Sequence, residues 1–137
     1  MRRDALAATD VDPEMVARAR ERLAPYGDRA EIAQADARAL PHADGSFDFV
    51  LAIGVLHHVG EWEEAVAEAR RVLRDGGRLI LADLVSSVFA PPPLRRLFPG
   101  ERTYTLGELR VALSRSGFER CRLDPVLGLG YRAIVER

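Results

Sequence analysis

Apolar and polar positions change their spacing several times along the chain, and each change predicts an element. Residues 5–9, ALAAT, form a short apolar run bounded by charge, and Asp12, Pro13 and Glu14 then supply an N-cap, a proline suited to the first helical position and an acid for the first turn. Met15, Val16, Ala19 and Leu23 recur at helical spacing, with Arg18, Arg20, Glu21 and Arg22 mostly opposite, until Pro25 and Gly27 end the pattern. The prediction is strand, tight turn, amphipathic helix. A second run, AEIAQAD, ends in an acid, Asp36, as the first ends in Asp10. An Asp44-Gly45 turn precedes FDFVLAIGVL, whose Phe47, Val50, Leu51 and Ile53 predict a fully buried strand.

Residues 61–74, EWEEAVAEARRVLR, carry acids early and arginines late, with Trp62, Ala65, Val66, Ala69, Val72 and Leu73 on one face. That arrangement suits both the helix dipole and packing on a sheet, and Gly76-Gly77 is expected to stop the helix. GRLILADLV follows as another strand, completing a unit that requires a parallel, right-handed crossover, so the fold class is α/β. The segment 85–104 is apolar but holds Pro91, Pro92 and Pro93, which forbid a regular helix or central strand and make it a candidate lid or substrate loop. Thr105 and Glu108 form a capping box for the helix LRVALSRSG, closed by Gly117, and FERCRLD and YRAIVER predict a final antiparallel strand pair.

Composition narrows the function. The chain of 137 residues is long enough for one core without disulfides or metal, and residues 1–137 are expected to form one domain. No apolar stretch approaches the ~20 residues a membrane span needs, and the N-terminus lacks a signal-peptide pattern, so a cytoplasmic protein with no membrane partner is expected. Twenty basic residues are scattered among 21 acidic ones for a net charge of −1, which argues against nucleic acid and for a small-molecule partner. All the basic residues are arginine, which removes any lysine nucleophile or Schiff base. Cys121 is single and is expected in the core as a strand residue.

In a parallel α/β sheet the ligand lies beyond the carboxyl ends of the strands, where Asp10 and Asp36 are expected. An ionised carboxylate has two acceptor oxygens and suits the two hydroxyls of a ribose, although an acid at a strand–helix junction also serves simply as a turn and cap residue. The chain resembles the class I S-adenosylmethionine-dependent methyltransferases, particularly the type 11 group that includes ubiquinone and menaquinone biosynthesis enzymes. ATDVDPEMVARAR, QADARALPHADGSFDFVLAIGVLHHV, ARRVLRDGGRLILAD and YTLGELRVALSRSGF carry that resemblance, in the family's order over most of the chain. The resemblance implies S-adenosylmethionine as cofactor, with Asp10 on the ribose, Val11 against the adenine, Asp36 facing the adenine amino group and Ala37 beside it. Ile53 and His57 complete the residues expected at the cofactor, and His58 is the candidate general base. Against that role, His57 would cap or line the cleft and His58 would pack beneath the following helix. Adjacent histidines do not make a metal site, and none is expected.

The resemblance also implies a Rossmann-like sheet of order 3-2-1-4-5-7-6, in which a first strand and a glycine-rich loop precede the ribose acid by roughly 20 residues. Only nine residues precede Asp10. The fold expected is therefore an N-terminally truncated one, lacking the central strand and first helix. It would be completed by direct pairing of the flanking strands, by another chain (a homo-oligomer or a partner), or by an upstream segment. Two functions follow: methyl transfer to a small molecule by in-line attack, or a catalytically inactive protein of the same fold that needs a partner chain. A nicotinamide dehydrogenase is set aside, because GxGxxG before the ribose acid is absent.

Overall fold

The computed structural model describes residues 5–84, 104–126 and 130–137. The candidate lid at 85–104 thus lies, apart from Tyr104, outside the described residues. The first unit is strand β1 (Leu6–Asp10), helix α1 (Pro13–Leu23), a 3-10 segment (Ala24–Arg29) and strand β2 (Ala30–Gln34). Asp12 caps α1 by accepting the Glu14 N–H at 2.8 Å, with Pro13 at the first helical position, as the sequence pattern predicts. The next unit is β3 (Phe47–Ile53), a 3-10 turn (Leu56–His58), α2 (Trp62–Val72) and β4 (Leu73–Leu84). Helix α3 (Leu106–Arg115) and the strands β5 (Arg120–Val126) and β6 (Gly130–Glu136) follow.

Strands β1 and β2 pair in parallel as one sheet, and β3-β4-β6-β5 form a second, parallel across β3/β4 and antiparallel across the rest. The expected antiparallel C-terminal pair is present, in a Rossmann-like mixed sheet. Among the described residues no strand joins β1 to β3, so the flanking strands do not close on each other.

The core lies where α2 and α3 pack on one face of the four-stranded sheet. Val66, Leu73, Leu79, Leu81, Leu109, Leu113 and Val135 are buried there, and the Trp62 indole stacks on Tyr104 with centroids 4.6 Å apart. Alternation along β3 sends Val50 and Ala52 toward this core and Phe49, Leu51 and Ile53 the other way. The prediction of a fully buried β3 is therefore corrected: Phe49, Leu51 and Ile53 are 55%, 63% and 62% exposed, because no described element covers that second face.

Two other expectations are corrected. Helix α2 ends at Val72, and Gly76 and Gly77 sit inside β4, where Gly76 takes φ +73° and a Cβ on Gly77 would stand 2.8 Å from the Arg74 carbonyl oxygen. The glycines serve a close backbone crossing within the strand, whereas the helix stops earlier as the backbone turns extended at Leu73. Cys121 is on a strand but exposed, on β5, the outermost strand of its sheet among the described residues.

Helix α3 begins with the predicted capping box. The Glu108 N–H donates to Thr105 Oγ1 at 3.1 Å, while Glu108 Oε2 accepts the Thr105 N–H at 2.7 Å. Replacing Thr105 by alanine is expected to lower the unfolding free energy by about 1 kcal/mol, read from urea denaturation, since an N-cap is worth that much.

Candidate active site

The carboxyl ends of β1, β2 and β3 open onto one cleft of about 390 Å³, lined by Thr9, Asp10, Val11, Ala35 to Arg38, Gly54, Val55 and His58 to Glu61. Its size falls in the range of small-molecule sites. Strand pairing sets its floor: the Asp10 carbonyl accepts the Ala35 N–H at 3.0 Å, and Gln34 Nε2 donates to the Val11 carbonyl at 2.9 Å. These two bonds hold the β1 and β2 ends level, so that Asp10 and Asp36 border the same space. Asp10 is also a turn residue, since its Oδ1 accepts the Asp12 N–H at 2.9 Å. The turn reading and the cleft reading of this acid are both true of the geometry, because a carboxylate has a second oxygen.

Asp36 meets a guanidinium. Arg38 Nη2 lies 2.6 Å from its Oδ2, Arg38 Nε lies 3.0 Å from its Oδ1, and the Arg38 N–H donates to the same Oδ1 at 2.9 Å. The other arm of Arg38 reaches Glu61, at the start of α2. The side-chain bonds from Arg38, then its backbone N–H, lower the Asp36 carboxyl to about 2 from an ordinary 3.8. A depressed carboxyl favours the folded state above its unfolded value and loses that contribution as pH falls from 3.8 toward about 2. Asp36 is therefore an anion, and an acceptor only, across the neutral range. In Arg38→Ala its carboxyl should titrate much nearer 3.8, followed by the pH dependence of its carboxyl carbon resonance; no movement would show that Arg38 does not hold it down.

The two histidines divide differently from either reading of the sequence. His58 lines the cleft, and His57 is buried, with Nδ1 against Asp83 Oδ1 and its backbone N–H donating to Asp83 Oδ2 at 3.2 Å. The rings of His57 and His58 lie 3.8 Å apart at 43°. Asp83 holds His57 inward through its ring and backbone N–H, while His58, its ring against that of His57, stays on the cleft side. That corrects the packing of His58 beneath α2 and the placing of His57 on the cleft wall. Ile53 is also off the lining, on the uncovered face of β3. Asp10, Val11, Asp36, Ala37 and His58 share the cleft. Tyr104 lines no cleft among the described residues: it is 1% exposed, and its hydroxyl lies 2.6 Å from that of Tyr131.

Asp83, Arg38 and Glu61 went unnoticed in the sequence. Asp83 lies one residue before the end of β4, much as Asp10 ends β1, so an acid near the end of an apolar strand was its available signal. Arg38 was marked only by lying two residues past Asp36. A support beneath the cleft was invisible: Glu68 accepts the Leu40 N–H at 2.8 Å, and Arg71 donates to the carbonyls of His42 and Leu40 at 2.8 and 3.1 Å. These bonds tie the loop after Asp36 to α2.

A family model described as a methyltransferase domain matches residues 2–81, which is more than half the chain. The chain belongs to this methyltransferase family. It is 37% identical over 105 residues to the 27-O-demethylrifamycin SV methyltransferase of Amycolatopsis mediterranei, a match over 75% of this chain and 38% of that one. It is 36% identical over 88 residues to the demethylmenaquinone methyltransferase of Thermus thermophilus, over 64% and 38% respectively. This methyltransferase-family chain thus spans 38% of the length of each of those relatives. A solved S-adenosylmethionine-dependent methyltransferase from Mesorhizobium loti superposes with a TM-score of 0.79 at 19% identity, covering 98% of this chain and 81% of that one, which shows a shared fold. S-adenosylmethionine is the cofactor of the family. Among the described residues no helix is long and apolar enough to cross a membrane, and no group of three or more histidine, cysteine or acidic residues could hold a metal.

Proposed function

We propose that the chain binds S-adenosylmethionine in the cleft at the ends of β1, β2 and β3 and serves methyl transfer to a small molecule in the cytoplasm. One observation supports this most: Asp10, at the end of β1, and Asp36, just past the end of β2, border one cavity of small-molecule size. Asp10 would accept from the ribose hydroxyls with the oxygen its turn does not use, and Val11, 67% exposed, would lie against the base. Asp36, an anion because of Arg38, would accept from the amino group of the adenine, with Ala37 beside it. The walls fit the charge of such a ligand, since Asp10, Asp36 and Glu61 stand against Arg38 alone among carboxylates and guanidiniums. When bound, the cofactor supplies a methyl group already activated by its sulfonium. The protein is then asked mainly for alignment and exclusion of water, and His58 is the cleft's candidate to take a proton from the acceptor.

The gap between β1 and β3 among the described residues supports a second reading, that the chain is a catalytically inactive protein or fragment of this fold that needs a partner chain to complete its sheet. Isothermal titration of S-adenosylmethionine into the 137-residue protein separates the two. Micromolar binding supports the first. No heat up to about 1 mM, where binding is worth only ~4 kcal/mol, supports the second.

A further inference from the structure

The connection from β2 to β3, residues 35–46, borders the cleft only at its start, with Ala35 to Arg38. It holds neither a strand nor a helix, so its place is set by the hydrogen bonds it makes to the elements around it. On the near side the Ala35 N–H donates to the Asp10 carbonyl at 3.0 Å. Residues 36–39 then close a turn, with the Ala39 N–H on the Asp36 carbonyl at 2.9 Å and the Arg38 N–H on Asp36 Oδ1 at 2.9 Å. A turn closed by two such bonds moves as a unit. Where Asp36 stands therefore depends on what holds the far end of the turn.

Two side chains of α2 hold that end. Arg71 and Glu68 pair fork to fork, Nε to Oε2 at 2.8 Å and Nη2 to Oε1 at 2.7 Å. The same Oε1 accepts the Leu40 N–H at 2.8 Å, and the same Nη2 donates to the Leu40 carbonyl at 3.1 Å. The pair thus offers Leu40 an acceptor and a donor side by side, as the edge of a strand does. Arg71 continues along the loop: its Nη1 donates to the His42 carbonyl at 2.8 Å and to Asp44 Oδ1 at 2.6 Å, and its own carbonyl accepts the Gly45 N–H at 2.9 Å.

Glu68 follows Glu61 by seven residues and precedes Arg71 by three, which puts all three on one side of a helix with about 3.6 residues per turn. Arg38 reaches Glu61, so the loop is laid along a single stripe of α2, from Arg38 at its start to Gly45 at its end. The other side of α2 is core, with Ala65, Val66, Ala69 and Val72 buried, and that makes the helix a rigid base for the loop. The Glu68 and Arg71 side chains are 15% and 32% exposed. The side-chain bonds from Arg71 hold the Glu68 carboxyl below its ordinary value, so at neutral pH it presents acceptors only.

We propose that Glu68 and Arg71 are positioning residues of the cleft: by gripping the backbone of Leu40, His42 and Gly45 they fix where Asp36 stands, and so set how strongly the site prefers a base with an amino group to one with a carbonyl in its place. Neither residue lines the cleft itself. A carboxylate accepts from an amino group and has nothing to donate to a carbonyl, and the preference holds only while the carboxylate stays within hydrogen-bond reach. The base preference rests on the reading of the cleft as a cofactor site, whereas the placement of Asp36 does not.

Two readouts test the proposal. The variants are Arg71→Lys, which keeps the charge but loses the fork, Glu68→Ala, which loses the Leu40 acceptor, and Glu68→Gln, whose amide oxygen can still accept that N–H. In the unliganded protein, backbone nitrogen relaxation should give order parameters of about 0.85 for residues 36–38 in the parent and below about 0.6 in Arg71→Lys and Glu68→Ala. Glu68→Gln should stay nearer the parent, and β1 and β4 should be unchanged in all. By calorimetry the parent should bind S-adenosylhomocysteine about 10-fold or more tighter than S-inosylhomocysteine, which carries a carbonyl in place of the amino group. In Arg71→Lys and Glu68→Ala the two should bind within about twofold of each other. A role in stability alone would lower the urea midpoint and leave both the order of residues 36–38 and the affinity ratio as in the parent, which would overturn the proposal. Absence of binding of either compound by the parent would overturn the reading of the cleft and the base preference with it, and the order parameters would then decide the placement of Asp36 by themselves.

Discussion

Asp83→Ala should lower the unfolding free energy by about 3–5 kcal/mol, the usual cost of deleting one partner of a buried polar pair. The Asp83 side chain is 1% exposed, meets the His57 ring and the Tyr104 side chain, and accepts the His57 N–H at 3.2 Å and the Leu84 N–H at 2.7 Å. Alanine removes the acceptor these groups share, and a buried polar group that loses its partner costs ~1–3 kcal/mol. Urea denaturation of Asp83→Ala, His57→Ala and the double variant forms a cycle in which the two residues should couple by at least ~1 kcal/mol. A loss below that for Asp83→Ala would mean that the carboxylate is not the anchor of the turn. The same change should free the turn that carries His58, so the cleft should loosen along with the core.

Asp10→Ala should weaken S-adenosylmethionine binding about 100-fold, since two hydrogen bonds to a charged acceptor are worth ~3 kcal/mol together. The substitution also removes the acceptor for the Asp12 N–H, so a loss of binding could come from the turn. Asp10→Asn separates the two effects. Its amide oxygen can keep the bond to Asp12, and it replaces the second acceptor oxygen with a donor that cannot satisfy a diol. Calorimetry should therefore find Asp10→Asn near the parent in stability and near Asp10→Ala in affinity. Parent-like affinity in Asp10→Asn would remove the ribose from this residue.

Both outcomes bear on how one acid can serve a turn and a ligand. A strand-end aspartate that closes a turn with one oxygen has its rotamer set before any ligand arrives, which lowers the entropy lost on binding. Arg38 does something similar for Asp36, holding it as an anion and linking it to Glu61 at the entrance of α2. In both cases the cleft-facing group is oriented by a bond that spans only two residues.

Those short-range features are what the sequence alone determined. The Asp12 cap, the proline at the start of α1, the Thr105–Glu108 box and the acids ending β1 and β2 depend on neighbours within about four positions. So do the elements themselves, whose hydrophobic period is local, and the parallel sense of the units follows from chain handedness. What the tertiary structure decided was every question of which side a residue faces once distant elements meet. Asp83, from a strand 26 positions away, turns His57 inward and leaves His58 on the cleft. Arg71 ties down a loop about 30 positions back, and Cys121 is exposed on β5, which has no further neighbour among the described residues. Leu51 and Ile53 read as core because their own spacing is that of a buried strand. Whether an apolar face is covered depends on another segment of chain, and no pattern within β3 carries that information.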